Sequence, residues 1–275
     1  MIYDLHTHTS ASDGSLAPAE LLAHAAGCGV DVLSITDHDT VAAYDLLGKL
    51  PPGSPTLVPG IELSTTWAGR GVHIVGLNID PGSTVLRAGI AAQQAARNER
   101  AETIARRLEK LGFGDARADV ADAAAGSGVG RPHFARYLVN NGYVKDVATA
   151  FRKYLGDGKA GDVRSGWATL EDVIRWIRAA GGSAVLAHPA KYRLTRTKLC
   201  ALIEDFVSAG GVAIEVVSGP QEPGVTRRLG ALAADYGLAV SAGSDFHHPA
   251  STWSAPGRFP KMPDGLRPVW DLWPT

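Results

Sequence analysis

Nearly every segment of this chain that reads as a β-strand ends in a side chain able to bind a metal ion. The runs Ile2 to His8, Val30 to Asp37, Leu57 to Ser64 and Val72 to Asn78 are short and rich in β-branched residues, and helical patterns at Pro18 to Ala26 and Thr40 to Leu50 punctuate them. The alternation returns after Ser165: Thr169 to Ala180 and Thr197 to Ala209 read as helices, and Ser183 to His188, Val212 to Ser218 and Leu238 to Asp245 as strands. Strand and helix in turn imply an α/β fold with mostly parallel pairing. In a β/α barrel the carboxyl ends of the strands share one rim. The groups at those ends, His6, His8, Asp37, His38, Glu62, His73, His188, Glu215, Asp245 and His247, are therefore expected to meet in one crowded site.

A single histidine at a strand end is usually structural, but six imidazoles brought together need a common partner. In His6-Thr7-His8 the two rings leave the same face of a strand. Crowded rings cannot all be protonated and cannot all find hydrogen bonds, so a cation is the simplest way to satisfy them. Four carboxylates beside six imidazoles make ten candidate donors, more than one tetrahedral or octahedral centre can use, so more than one ion is expected. Thiolates are absent from the set, and mixed nitrogen and oxygen donors suit Mn²⁺, Fe²⁺ or Zn²⁺. Asp13 stands in an Asp-Gly pair, a turn signal that is also close to His8. Asp39 precedes a helical pattern and is expected to cap it, with Asp37 behind the ligands. Glu215 is open between a ligand and a group that orients the site. His24 and His248 stand away from strand ends and read as structural.

Between about Asp80 and Ser165 the strands disappear. Ala91 to Leu111, Arg117 to Ala125, Pro132 to Asn140 and Val147 to Leu155 are all helical patterns, interrupted by the glycine-rich runs Gly126 to Gly130 and Gly156 to Gly161. We expect a discontinuous barrel, residues 1–79 and 166–275, with residues 80–165 as a helical insertion that caps the substrate. The insertion holds 14 Lys and Arg against 10 Asp and Glu, and the rest of the chain 13 against 18, so the cap is the cationic part. Pro132 suits the first turn of a helix whose amino end attracts phosphate, with Arg131 and His133 beside it. Arg152, Lys159 and Lys191 are further candidates for the same anion.

The net charge of −1 advertises neither double-stranded DNA nor a membrane as partner. No apolar run approaches the roughly 20 residues of a bilayer span, and no leader pattern precedes Ile2, which reads as cytoplasmic. Cys28 and Cys200 read as buried, reduced thiols.

Taken together, Asp4-Leu5-His6-Thr7-His8, Ser12-Asp13-Gly14, Thr36-Asp37-His38-Asp39, Gly60-Ile61-Glu62, His73-Ile74-Val75-Gly76, Ala187-His188-Pro189 and Gly243-Ser244-Asp245-Phe246-His247 resemble the PHP family, named for polymerase and histidinol phosphatase. Within it, Arg131 to Arg136, Phe151 to Leu155 and His188 to Tyr192 resemble the branch of nucleoside 3',5'-bisphosphate phosphatases and 5'-to-3' exoribonucleases. The resemblance implies a distorted (β/α)7 barrel whose rim holds two or three divalent ions, Mn²⁺ the leading expectation, on His6, His8, Asp13, His38, Glu62, His73, His188, Asp245 and His247. It implies Glu62 as a bridge: His6, His8, Glu62 and Asp245 around one ion, Glu62, His73 and His188 around a second, and Asp13, His38 and His247 around a third. Asp245, His247 and His188 are the expected catalytic groups. The implied reaction is removal of the 3'-phosphate from a nucleoside 3',5'-bisphosphate, allied to trimming of short 5'-phosphorylated RNA. A histidinol-phosphatase-like phosphomonoesterase, an amide or lactone hydrolase, and a metal-stabilised binding module are the alternatives, and the cationic insertion speaks for a nucleotide phosphate.

Overall fold

The computed structural model describes residues 1–114, 116–124, 128–156, 158–163, 166–249 and 254–274. Ala125, Gly126 and Ser127, Asp157 in the second glycine-rich run, and the Ser165 boundary lie outside the described residues.

The first half alternates as expected: β1 (Tyr3–Thr7), α1 (Pro18–Gly27), β2 (Val32–Ile35), α2 (Ala42–Leu46), β3 (Thr56–Leu57), β4 (Gly60–Trp67) and β5 (Arg70–Leu77). The single strand expected over Leu57 to Ser64 is two, because Pro59 interrupts it and cannot donate to a ladder. β3 therefore finishes one sheet, β1-β2-β3, while β4 opens another. Helix α2 is shorter than the Thr40 to Leu50 pattern; its cap Leu47 is already extended, ahead of Gly48 and the Pro51-Pro52 pair.

Four helices follow: α3 (Thr84–Lys110), α4 (Ala116–Ala124), α5 (Arg131–Asn140) and α6 (Val147–Ala150), the last running into a π-helical turn at Phe151–Leu155. α3 begins earlier than the Ala91 pattern because Ser83 accepts the Leu86 N–H as an N-cap. Ile104, Leu108, Val120, Phe134, Leu138 and Leu155 give these helices a hydrophobic cluster of their own.

The chain then returns through α7 (Leu170–Ala179), β6 (Ser183–Leu186), α8 (Arg196–Ser208), β7 (Ala213–Ser218), α9 (Pro223–Asp235) and β8 (Ala239–Gly243). α7 is built for its place: Thr169 caps it, Glu171 and Asp172 fill its first turn, and Leu170, Val173, Ile174 and Ile177 are buried on one face. β6, β7 and β8 pair in parallel, but β4 with β5 and β5 with β6 are antiparallel, which corrects the expectation of parallel pairing through this region. A two-residue link at Ala68 and Gly69, both with positive φ, turns β4 straight back into β5, and no crossover helix fits there.

The two sheets meet at the end of β1. Asp245 N–H donates to the His6 carbonyl and His8 N–H to the Phe246 carbonyl, both at 2.9 Å, while His38 bridges to Glu62. Cys28 and Cys200 are free thiols; Cys28 is exposed rather than buried because it caps the surface end of α1. Among the described residues no helix is long and apolar enough to cross a membrane.

The meeting of β1 and β8 leaves no room for a side chain at Gly243, where an added Cβ would lie 2.3 Å from the His6 Cβ and 2.7 Å from its backbone nitrogen. Gly243→Ala is expected to cost about 1–3 kcal/mol, read as a lower urea midpoint. Gly71→Ala, where nothing lies within 4 Å, is the control and should leave the midpoint nearly unchanged.

Candidate metal centre and anion cavity

β1 ends in His6 and Thr7, His8 follows directly, and both rings are buried. Glu62, the third residue of β4, lies among five imidazoles. Its Oε1 is 2.9 Å from His73 Nδ1 and 2.9 Å from His188 Nε2, and its Oε2 is 3.0 Å from His38 Nδ1, 3.3 Å from His6 Nε2 and 3.4 Å from His8 Nε2. Asp245 Oδ1 approaches His8 Nε2 at 3.2 Å and His6 Nε2 at 3.5 Å. Asp13 Oδ1 lies 3.3 Å from His247 Nε2, and its Oδ2 is 3.7 Å from His38 Nε2. His73 reaches this rim from the opening half of an antiparallel strand, so not every group arrives from a carboxyl end.

Ligand atoms within 4.8 Å of one another fall into four overlapping groups: His8, Asp13, His38, His247; His6, Glu62, His188; His6, His8, Asp245; and His38, Glu62, His73. Within them His6 Nε2, both His8 nitrogens, His38 Nδ1, His188 Nδ1 and Glu62 Oε2 are buried without an aligned hydrogen bond among the described residues. Buried polar atoms in that state are costly, and shared cations satisfy them. The charge states agree. Burial, then His247, pushes His8 down to about 3, leaving it neutral. Burial alone would raise Glu62 and Asp245, but His38 and His6 around the first, and Lys191 and His6 around the second, hold both carboxyls well below the usual range. Without cations the carboxylates outweigh burial and hold protons on His6, His38 and His247; divalent ions would take the place of those protons between ionised carboxylates and imidazoles, so the residues fit them.

A ring of buried carboxylates holds these groups in place. Glu215 Oε1 accepts from His6 Nδ1 at 3.0 Å, turning His6 Nε2 inward, and its Oε2 accepts the His188 N–H at 2.6 Å. Asp37 accepts from Thr9 N–H, Thr9 Oγ1 and Ser12 Oγ at 2.6–2.7 Å, which fixes the loop that carries Asp13. Asp39 caps no helix: the helix starts later, at Ala42, and Asp39 instead accepts from Ser64 N–H and Oγ and from Gln93, and pairs with Arg97. Three non-glycine residues here have positive φ, Asp39 at 53°, His188 at 28° and Asp245 at 52°. Such backbone costs about 1–3 kcal/mol each and persists only where its surroundings hold it.

Above the cluster opens a cavity of about 230 Å³. Asp13, His38, Glu62, His73, His188, Asp245 and His247 form its floor, and Arg97, Arg100, Arg131 and Phe151 its wall. Gly130, Arg131 and Pro132 bring the amino end of α5 to it. His133 turns away, using Nδ1 to accept the Gly130 N–H at 3.1 Å; burial, then Arg136, pushes it down to about 4. Lys191 pairs with Asp245. Arg152 and Lys159 are exposed and do not line the cavity.

Sequence reading missed Arg97, Arg100, Gln93 and Trp167. A signal existed: Gln93 and Arg97 interrupt the stripe Leu86, Gly89, Ile104, Leu108 that α3 buries, and polar residues on a buried stripe need partners.

No family model matches the chain. It is 43% identical over 276 residues to the 5'-3' exoribonuclease Rnm of Escherichia coli, spanning 99% of this chain and 94% of that protein. It is 41% identical over 274 residues to the 3',5'-nucleoside bisphosphate phosphatase of Chromobacterium violaceum, spanning 97% of this chain and 94% of that protein. A solved structure, described as an amidohydrolase from Chromobacterium violaceum with bound sulfate and no metal, matches with a TM-score of 0.93 and 39% identity over 99% of this chain and 95% of that one.

Glu215 has two acceptor oxygens and uses both, so Glu215→Gln is expected to weaken Mn²⁺ binding about 10–100-fold while the far-ultraviolet circular dichroism stays the same. Unchanged affinity in a calorimetric titration would refute its orienting role.

Proposed function

The chain belongs to the PHP family, and from that premise we propose that it is a metal-dependent phosphoesterase that takes the 3'-phosphate from nucleoside 3',5'-bisphosphates and leaves 5'-mononucleotides. Stepwise shortening of 5'-phosphorylated RNA from its 5' end is the allied reaction. The observation that carries this reading is one cavity with a floor of carboxylates and imidazoles and a wall of Arg97, Arg100 and Arg131. A floor of that kind serves hydrolysis, and the wall selects an anion. An amide or lactone brings no negative charge to that basic wall, so the amidohydrolase description of the Chromobacterium structure does not change the proposal.

His6, His8, Asp13, His38, Glu62, His73, His188, Asp245 and His247 are the proposed ligands for two or three divalent ions, with Mn²⁺ first and Fe²⁺ or Zn²⁺ as alternatives. When bound, such ions supply positive charge for the phosphoryl oxygens and lower the pKa of the attacking water. The remaining tasks fall to the chain. Glu215 keeps His6 and the His188 backbone aligned. Lys191 neutralises Asp245 on the side away from the imidazoles. His247 stands between Asp13 and Asp245; burial opposes its protonation, but Asp13 and then Asp245 outweigh burial and raise it to about 9. We assign His247 and Asp245 to assisting proton transfer, His247 as the group able to give a proton and the ionised Asp245 as one able to accept it, with His188 beside them.

The joined sheets are read as the distorted barrel of this family, and residues 80–165 as its substrate cap. The separate hydrophobic cluster of the helices supports the second reading.

The test is phosphate release from adenosine 3',5'-bisphosphate after chelation and Mn²⁺ restoration, beside histidinol phosphate, a 5'-phosphorylated oligoribonucleotide and an amide and lactone panel. The expected product is 5'-AMP, lost on chelation, regained with metal, and at least about 100-fold slower in His6→Ala. Turnover of amides or lactones with every phosphate ester untouched would sink the proposal.

A further inference from the structure

Outside the insertion acids outnumber bases, yet from Val173 to Ile203 the chain has no Asp or Glu, and Lys191, Arg193, Arg196 and Lys198 crowd into one short run of it. All four are exposed. The residues between them point the other way. Tyr192, Leu194 and Leu199 pack against the main hydrophobic core, the Tyr192 hydroxyl accepts the His73 N–H at 2.9 Å, and its ring stands edge-on to His188 at 5.5 Å. The link from β6 to α8 is therefore held firmly while its charges face solvent. Elsewhere on the surface exposed guanidiniums find acids, Arg87 with Asp45, Arg117 with Glu102 and Arg175 with Asp172. Among the described residues Arg193, Arg196 and Lys198 make no ion pair. Arg196 and Lys198 also stand in the first turn of α8, where the aligned peptide dipoles are already positive and no acid offsets them.

Lys191 connects this run to the cavity. It follows His188 closely and pairs with Asp245, and both of those residues belong to the floor. The positive segment thus begins where the floor meets the surface, and from Lys191 to Lys198 it extends at most roughly 25 Å. In a nucleoside bisphosphate the phosphate cut on the floor is the end of the molecule. In RNA it is the start of all that remains: the water oxygen bonds to phosphorus, the bond to the 3'-oxygen breaks, that oxygen takes a proton, and the phosphate stays on the shortened strand as its new 5' end. The strand has to leave the cavity across the surface. A ligand inside a cavity is met by buried groups, but a strand leaving it can be met only by exposed ones. We propose that Lys191, Arg193, Arg196 and Lys198 form a track that holds the phosphates of RNA beyond the one being cleaved. The one aromatic ring of the link, Tyr192, is turned inward and offers no face for a base, so the grip is electrostatic and indifferent to base sequence. This rests on the RNA-shortening reaction in the phosphoesterase reading above.

Arg193→Gln, Arg196→Gln and Lys198→Gln together remove charge from the track and leave Lys191 and every proposed ligand in place. Adenosine 3',5'-bisphosphate ends at the phosphate being cleaved and cannot reach the track, so its kcat/KM should be unchanged in the triple variant. Release of the first mononucleotide from 5'-phosphorylated pentaadenylate at low salt should lose about 10-fold in kcat/KM, through KM. The fall of log(kcat/KM) with log salt should be shallower than in wild type by about 2, at roughly 0.7 for each phosphate contact removed from a single strand. Arg193→Lys with Arg196→Lys keeps the charge and should behave as wild type. An equal loss on both substrates, an unchanged rate on pentaadenylate or an unchanged salt slope overturns the proposal. Fluorescence anisotropy with labelled pentaadenylate on the metal-free protein gives a readout independent of turnover, and wild type should bind more tightly than the triple variant. If wild type hydrolyses no phosphate ester, the phosphoesterase reading fails, and the anisotropy contrast still decides the track. A pentaglutamate peptide that binds wild type better than pentaadenylate would give this surface to an acidic protein and overturn the assignment to RNA. The exposed side chains should contribute nothing to Tm, and a clear drop in the triple variant would show that they serve the fold instead.

Discussion

Glu62 is the constraint around which the rest is arranged. A fully buried carboxylate cannot stand alone, and five imidazoles from four separate segments of the chain close on it. Several of the segments that carry these imidazoles are fixed from behind. Glu215 orients His6, and the Tyr192 hydroxyl accepts the His73 N–H at 2.9 Å. The pair of Asp39 and Arg97 ties the His38 turn to β4. Positive φ at Asp39, His188 and Asp245 is the backbone cost of aiming these groups inward, and the hydrogen bonds behind them hold it in place.

What could be read in the sequence was whatever follows from period and strand ends. β1, β2, β6, β7 and β8 are short apolar runs with helices between them, and their terminal histidines and acids do come together. What escaped depended on long-range pairing. The β4 and β5 hairpin has the same β-branched composition as a parallel strand, and only the tight link at Ala68 and Gly69 gives away its direction. Asp39 looked like a helix cap because Asp in front of a helical pattern usually is one. Its partner Arg97 is 58 residues away, on a helix whose docking no local rule predicts.

The same limit explains the anion wall. Arg131 announced itself by its place at a helix start, and it lines the cavity. Arg152 and Lys159 have equal charge and similar neighbours in sequence, yet face solvent. Charge density marked the insertion as cationic, but only burial distinguishes a side chain that meets a ligand from one that keeps the surface hydrated.

The seam between β1 and the segment after β8 fixes when the site can come into being. Asp4 accepts the Ser244 N–H across 240 positions and the Gly257 N–H across 253, and His8 waits for the Phe246 carbonyl. A chain emerging from the ribosome at about 5–20 residues per second exposes its His-Thr-His motif long before Ser244 and Asp245 follow it. Throughout that interval the growing polypeptide carries an incomplete centre, and the site closes in a single step once both sides of the seam are present.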